Sequence, residues 1–335
     1  MTSERLHQLL SAFPSQRILV VGDLMLDEFV WGNVKRISPE APVPVVEFTR
    51  EECYPGGAAN VARNLCEFTR SVHIMGVIGC DGGGEKLKSL LSAEGIDLSC
   101  IVESSGHQTA VKTRILARHQ QVCRVDRERK HGLSAAQVEE ALKRLATTLP
   151  LLDAVIIEDY GKGLLTQDFV DRVIALAKEA GKIITVDPNP NNPLRWQGVH
   201  TVKPNRGEAF AVSGIPYCDP IDPVENDAAV YAVGRRLLEN WGTQHLLVTL
   251  GEQGMLLFQP HRPPYHTPPR ARQVFDLSGA GDTSIALYTL ALCAGATPVE
   301  AAEIANHAGG VVVGKLGTAT LTPAELAESF ESHRI

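Results

Sequence analysis

Phe275-Asp276-Leu277-Ser278-Gly279-Ala280-Gly281-Asp282-Thr283 lies four-fifths of the way along a chain of 335 residues. Before it, Gln273, Val274 and Phe275 read as a short extended segment; after it, the apolar run Ile285 to Ala294 is long enough for a buried helix. Small residues at 278–281 leave the backbone N–H groups at that helix start unobstructed. A helix N-terminus offers unpaired donors and a positive dipole end, so the turn can hold an anion. With Asp282 directly beside it, the pattern suits phosphoryl transfer: the cradle steadies migrating charge and the carboxylate accepts a proton. A plainer reading stands beside this one, a glycine-rich turn in which Asp282 only complements the helix dipole.

Upstream, Arg17-Ile-Leu-Val-Val-Gly22-Asp23 reads as a buried strand ending in an acid, with Asp27 four residues on. Ala154-Val-Ile-Ile-Glu-Asp159, Lys182-Ile-Ile-Thr-Val-Asp187, His200-Thr-Val-Lys-Pro-Asn205 and His245-Leu-Leu-Val-Thr-Leu-Gly251 repeat the pattern. Helical segments separate them, with capping-box starts at Ser134/Gln137, Thr297/Glu300 and Thr322/Glu325. This alternation predicts an α/β fold: a doubly wound, mainly parallel sheet flanked by helices, with one ligand-binding edge. Acids at carboxyl strand ends point into that crevice, which makes Asp23, Asp159 and Asp187 candidate substrate contacts, Asp23 ahead of Asp27. A turn-forming aspartate is the alternative for each.

Residues 31–53 change character, because Pro39, Pro42 and Pro44 exclude a helix or a central strand. Residues 108–126 alternate around Arg118-His119-Gln120 and read as a β-hairpin. Together they predict a small β-sheet lid on a single domain spanning 1–335. Its edges call for cover, so a homodimer through the lid is expected. Between them, Pro55-Gly56-Gly57-Ala58-Ala59-Asn60 opens a helix that a ligand can approach closely, or one that packs tightly on the sheet.

Apolar residues at 44% and charged residues at 21% describe an ordinary globular protein, and a net charge of −7 argues against a nucleic-acid binder. The seven cysteines are odd in number and lack a Cys-x-x-Cys pair, which fits reduced thiols better than disulfides or zinc. The first residues lack signal-peptide features and no apolar run nears the roughly 20 residues of a membrane span, so a cytoplasmic protein without membrane contact is expected. Gly309-Gly-Val-Val-Val-Gly314-Lys315 resembles the start of a P-loop, but Leu316 stands where a Ser or Thr must reach Mg²⁺. No Gly-x-Gly-x-x-Gly follows a strand, which disfavours a nicotinamide enzyme. Asn205-x-x-Glu208 reads equally as a capping box or as a pair holding Mg²⁺ through its waters. Thr249-Leu-Gly251-Glu-Gln-Gly254 reads as a hairpin turn or a nucleotide-phosphate contact.

Taken in order, the glycine pair with Asn60, Asn205-x-x-Glu208, Thr249-x-Gly251-x-x-Gly254 and Asp276-x-Ser-Gly-Ala-Gly-Asp282 resemble the ribokinase-like carbohydrate kinase family over essentially the whole chain. The resemblance implies a Rossmann-like body with a β-sheet lid, ATP along the C-terminal portion and sugar beneath the lid. It implies Asp282 as base and Gly279, Ala280 and Gly281 as anion hole. Asp23, Gly56, Gly57 and Asn60 would hold sugar hydroxyls. Asn205 and Glu208 would organise Mg²⁺ and phosphates, while Thr249, Gly251, Gly254 and Asn306 would line the nucleotide. Ser278 replaces the threonine of many relatives and keeps the hydroxyl. A monovalent cation such as K⁺ would sit near Asp276, Ser278 and the carbonyls of Val313 and Leu316.

Within the family, Arg36-Ile-Ser-Pro-Glu-Ala-Pro-Val-Pro-Val-Val, Asp159-Tyr-Gly-Lys-Gly and Val311-Val-Val-Gly-Lys-Leu-Gly-Thr are similar to the bacterial kinases of D-glycero-D-manno-heptose 7-phosphate. That similarity implies phosphorylation of the C1 hydroxyl on the route to ADP-heptose for lipopolysaccharide. The substrate's own phosphate would need cations, for which Lys112, Arg114 and Arg124, or Lys203 and Arg206, are candidates; each is equally a solvated charge. No His-x-Gly-His occurs before Ile335, so a stand-alone kinase is expected. The alternatives are a kinase for another sugar or nucleoside, and a non-catalytic sugar-responsive binder.

Overall fold

Ile18 and Val20 point to one side of the first strand, β1 (Arg17–Gly22), and Leu19 and Val21 to the other; all four are fully buried. Such a strand must be covered by helices on both faces. The computed structural model describes every residue except 119, 131, 272–274, 316 and 333–335. Gln273 and Val274 of the expected extended segment, His119 of the expected turn and Leu316 of the expected cation site lie outside the described residues.

Helix α1 (Ser3–Ala12), capped by the Thr2 hydroxyl, precedes β1. Strands β2 (Leu24–Ile37) and β3 (Pro44–Gly57) then run out and back, and α2 (Ala58–Cys66) follows without a linker. The prolines at 39 and 42 fall in the turn between them, where no ladder hydrogen bond is lost. Next come β4 (Ser71–Gly79), α3 (Gly82–Ala93), β5 (Asp97–Ser104), and the hairpin β6 (Ala110–Ala117) and β7 (Gln120–Arg127). The remainder alternates: α4 (Ala135–Thr148), β8 (Ala154–Glu158), α5 (Gln167–Glu179), β9 (Ile183–Asp187), β10 (Thr201–Val202), α6 (Arg206–Ser213), α7 (Ala228–Trp241) and β11 (His245–Thr249). The chain closes with β12 (Met255–Phe258), β13 (Tyr265–Thr267), α8 (Ala280–Cys293), α9 (Pro298–Val312) and α10 (Pro323–Glu331).

The large sheet has the order β13-β12-β11-β10-β9-β8-β1-β4-β5, with parallel neighbours from β11 to β5 and antiparallel pairs β11–β12 and β12–β13 at the other edge. Helices α1, α2, α3, α8, α9 and α10 cover one face and α4, α5, α6 and α7 the other. The doubly wound α/β expectation holds, with β4, β5 and the antiparallel edge added to it. Strand order reverses at β1, which continues to β4 on one side and pairs β8 on the other. A crevice opens beyond the carboxyl ends of strands at such a reversal. Register aligns Gly22, Glu158 and Asp187 in one row along its floor.

The small sheet, β3-β2-β6-β7, contains the stretches expected at 31–53 and 108–126 but reaches further inward, to Leu24 and Gly57. Asp27 therefore sits on β2 rather than in a turn after β1. Helix α8 is buried on all sides from Thr283 to Ala291, so its N-terminus is fixed against the crevice. No described helix is long and apolar enough to cross a membrane.

Candidate active site

The start of α8 has the geometry its sequence requires. Gly279 adopts a left-handed backbone (φ 81°) as N-cap, and only a glycine does so without steric cost. Ala280 N–H bonds the Leu277 carbonyl at 3.4 Å. The N–H groups of Gly279, Gly281 and Asp282 have no acceptor among the described residues. Gly279 and Gly281 of the expected set 279–281 thus keep free donors, and Asp282 takes the place of Ala280.

Both oxygens of Asp282 are held from outside α8. Oδ2 accepts the Asn60 amide at 2.7 Å, and Oδ1 accepts the Tyr160 hydroxyl at 2.7 Å. Asn60 is placed by α2, which is tied to α8 where Thr283 Oγ1 donates to Asn64 Oδ1 at 2.8 Å. The Asn60 Oδ1 is buried without a partner among the described residues. Burial pushes the Asp282 carboxyl above its ordinary value; the Asn60 and Tyr160 hydrogen bonds and Lys203 pull it back only in part.

Asp282 opens onto a cleft of about 770 Å³ along the carboxyl ends of β8 to β11. Glu158, Asp187, Asn205, Glu208, Thr249, Gly251 and Gly281 line it. Lys203 is buried and pairs with Asp187 at 2.7 Å. Burial raises the Asp187 carboxyl to about 7, with Glu208 and Asp282 adding to the shift against Lys203. Glu158 is pushed well up by burial, Asp187 and Asp282, and its Oε1 has no partner among the described residues. Asn205 and Glu208 do form a reciprocal capping box on α6, at 2.9 and 2.8 Å, and still reach the cleft.

Several expected contacts have other occupations. Asp23 accepts backbone N–H groups from Tyr160 (3.1 Å), Lys162 (2.9 Å) and Leu164 (3.3 Å) and is 4% exposed. Its carboxylate anchors the 160–164 loop, and Asp27, on β2, is the acid of this region that bears electrostatically on Asp282. Gly56 makes room for Asp27, since a Cβ there would lie 2.4 Å from Oδ2; one on Gly57 would lie 2.7 Å from the Asp23 carbonyl. Asp159 is turned to Gly161 N–H (2.8 Å) and the Asn192 amide (2.9 Å). Gly254 is packed so that a Cβ would meet the Thr267 carbonyl at 2.1 Å, and Asn306 donates to the Thr267 hydroxyl (2.9 Å) and Pro268 carbonyl (2.6 Å). Neither reaches the cleft wall. Asp276 accepts Ser278 N–H (2.9 Å) and Gly317 N–H (3.1 Å), and the Val313 carbonyl already accepts the N–H groups of Phe275 and Asp276.

Of the candidate cations, Arg114 pairs with Asp27, Arg124 with Asp126 and Lys203 with Asp187. Arg206 is buried on Asp227 (2.7 Å) and donates to the carbonyls of Cys218 and Asp219, while also lining the cleft. Lys112 makes no ion pair or hydrogen bond among the described residues. Burial, and then Lys162, hold its ammonium below the ordinary value. Tyr160 was the site residue hardest to foresee, because nothing in Tyr160-Gly-Lys-Gly points to Asp282, 122 residues away.

Asp159 gives the site a pH signature. Burial, and then the neighbouring Asp23, raise its carboxyl from 3.8 to about 7, so between those values the folded protein holds a proton that the unfolded chain has released. Its contribution to stability is complete below 3.8 and is lost as pH rises through 7. Asp159→Asn should therefore gain stability relative to the parent from pH 4 to pH 8 in urea titrations. A gap constant with pH would refute the assignment.

Residues 15–325 match the pfkB family carbohydrate kinases. The bifunctional protein HldE of Desulfatibacillum aliphaticivorans is 40% identical over 336 residues, covering 100% of this chain and 67% of that protein. That of Geobacter metallireducens is 41% identical over 312 residues, covering 93% of this chain and 62% of its own length. The chain thus spans about two thirds of the length of these relatives. Arabidopsis thaliana ribokinase complexed with ribose and ATP superposes with a TM-score of 0.70 at 18% identity, over 94% of this chain and 99% of that one. The chain belongs to the pfkB family of carbohydrate kinases, and with that it is a phosphotransferase whose acceptor is a sugar hydroxyl.

Proposed function

We propose that this chain phosphorylates the C1 hydroxyl of D-glycero-D-manno-heptose 7-phosphate with ATP, in the route to ADP-heptose. The observation that carries the chemistry is Asp282, set at the start of α8 beside partnerless N–H groups and at the head of the carboxylate-lined cleft. ATP occupies the cleft along Thr249 and Gly251, and the sugar lies between Asp282, Asn60 and Asp27 beneath the small sheet, which acts as a lid. Asp282 accepts the hydroxyl proton as the γ-phosphoryl group moves in line, and the N–H groups of Gly279, Gly281 and Asp282 offset its charge.

The cleft fits Mg²⁺, since Glu158, Asp187, Glu208 and Asp282 crowd against the single ammonium of Lys203 and burial raises three of them. Asn205 and Glu208 would hold the ion through its waters. When bound, Mg²⁺ neutralises phosphate charge. The small sheet exposes Ile37, Phe48 and Val125, which supports pairing with a second copy through it.

Identity to the HldE proteins over this chain supports the heptose acceptor, and Lys112, with Lys162 beside it, supports a phosphate on that acceptor. ADP release should be fastest with heptose 7-phosphate among fructose phosphates, ribose and that sugar. Lys112→Ala should raise KM for the phosphorylated acceptor about 10–100-fold, the range of a hydrogen bond to a charged group. Faster turnover of another sugar would replace the acceptor, and sugar binding without ADP release would replace the enzyme reading.

A further inference from the structure

Asp282 is held between two donors, and the one from Tyr160 depends on a chain of contacts leading back to the centre of the sheet. Asp23, one residue beyond β1, takes the N–H groups of Tyr160, Lys162 and Leu164 onto its carboxylate. Gly161, at φ 65°, lets the backbone turn sharply between the first two. The loop so pinned directs the tyrosine ring across the crevice, where Oη reaches Asp282 Oδ1 at 2.7 Å. Asn60 Nδ2 meets the other oxygen at 2.7 Å. Each carboxylate oxygen accepts one such bond and keeps a second lone-pair position for an incoming hydroxyl.

We propose that Tyr160 is a positioning residue of the reaction: its hydroxyl, opposed by the Asn60 amide, fixes the carboxylate plane of Asp282 and stabilises its ionised form. This rests on Asp282 being the base. Burial and the carboxylates of Asp282, Glu158 and Asp187 push the phenol well above its ordinary value, so the shared proton stays on Tyr160 and the hydroxyl remains a donor. Lys203, Asp27, Glu158 and Asp187 are the other charged groups that bear on Asp282. Only Lys203 among them favours the anion, so the two neutral donors counter both burial and the remaining acids.

The test is Tyr160→Phe, which keeps the ring, with Asp282→Asn beside it and thermal melts to establish folding. A hydrogen bond to a carboxylate corresponds to about one pKa unit or more. The acidic limb of kcat against pH should therefore move up by about one unit, and kcat below that limb should fall about tenfold, with KM for ATP and sugar nearly unchanged. Replacing Tyr160 with 3-fluorotyrosine leaves no gap and strengthens the donor, so the limb should move down. An inactive Asp282→Asn enzyme with unmoved limbs in both Tyr160 variants overturns the role of Tyr160 and leaves the base in place. Normal turnover by Asp282→Asn removes both.

Discussion

Asp282→Asn should lower turnover by about 10²–10⁴, the usual contribution of a positioned general base, while ATP and sugar bind much as before. The amide matches the carboxylate in shape but cannot take the proton of the acceptor hydroxyl. The surroundings can adapt, because the Tyr160 hydroxyl can accept as well as donate. Asn60 can also rotate its partnerless Oδ1 toward the new amide. The loss should consequently appear in kcat, with the N–H groups at the start of α8 and the cleft supplying the residual rate. ADP release at saturating substrate measures it, and a rate within a few fold of the parent would exclude Asp282 as the base.

Asp227→Ala should destabilise the fold by about 3–5 kcal/mol, the range for removing one partner of a buried ion pair. Asp227 has no exposure and holds Arg206 at 2.7 Å, the Val230 N–H at 3.1 Å and the Ile221 N–H at 3.4 Å. Its loss strands a guanidinium that is 7% exposed and removes the cap of α7. Burial raises the Asp227 carboxyl, but these bonds outweigh it and the net shift is below 3.8; the contribution is present at neutral pH and lost as pH falls through the folded value. Arg206 also stacks on Phe210 and on Tyr217, which lines the cleft. KM for ATP should therefore rise in the variant. A urea midpoint within the error of the parent's would refute the argument.

The parallel strands were legible because each is an apolar run with a polar or glycine end, and the helix starts because a capping box is a local pattern. The boxes at Ser134, Asn205, Thr297 and Thr322 all form. The strand at 71–79 lacks that strand signature, since His73 and Gly76 interrupt its apolar run. Nearness to a strand end favours Asp23 over Asp27, but β2 continues straight out of β1, and pairing with β3 and β6 in the small sheet decides where Asp27 stands. Gly254 and Asn306 carry family signatures, yet their contacts with Thr267 are long-range and invisible to local pattern. The Tyr160–Asp282 contact is of the same kind.

The small sheet joins the body by connectors of almost no length. β2 follows β1 after Asp23 alone, and β3 passes directly into α2. Asp23 is also bonded to Glu158 through its N–H and to Ala58 through its carbonyl. If the small sheet closes over an acceptor as proposed, the shift would be delivered to the two residues that lead to Asp282, Asp23 by way of Tyr160 and Asn60 through α2. With the sugar placed beneath the small sheet as proposed, choice among sugars would be tied to rate: an acceptor lacking the groups the sheet grips would saturate the enzyme and still react slowly.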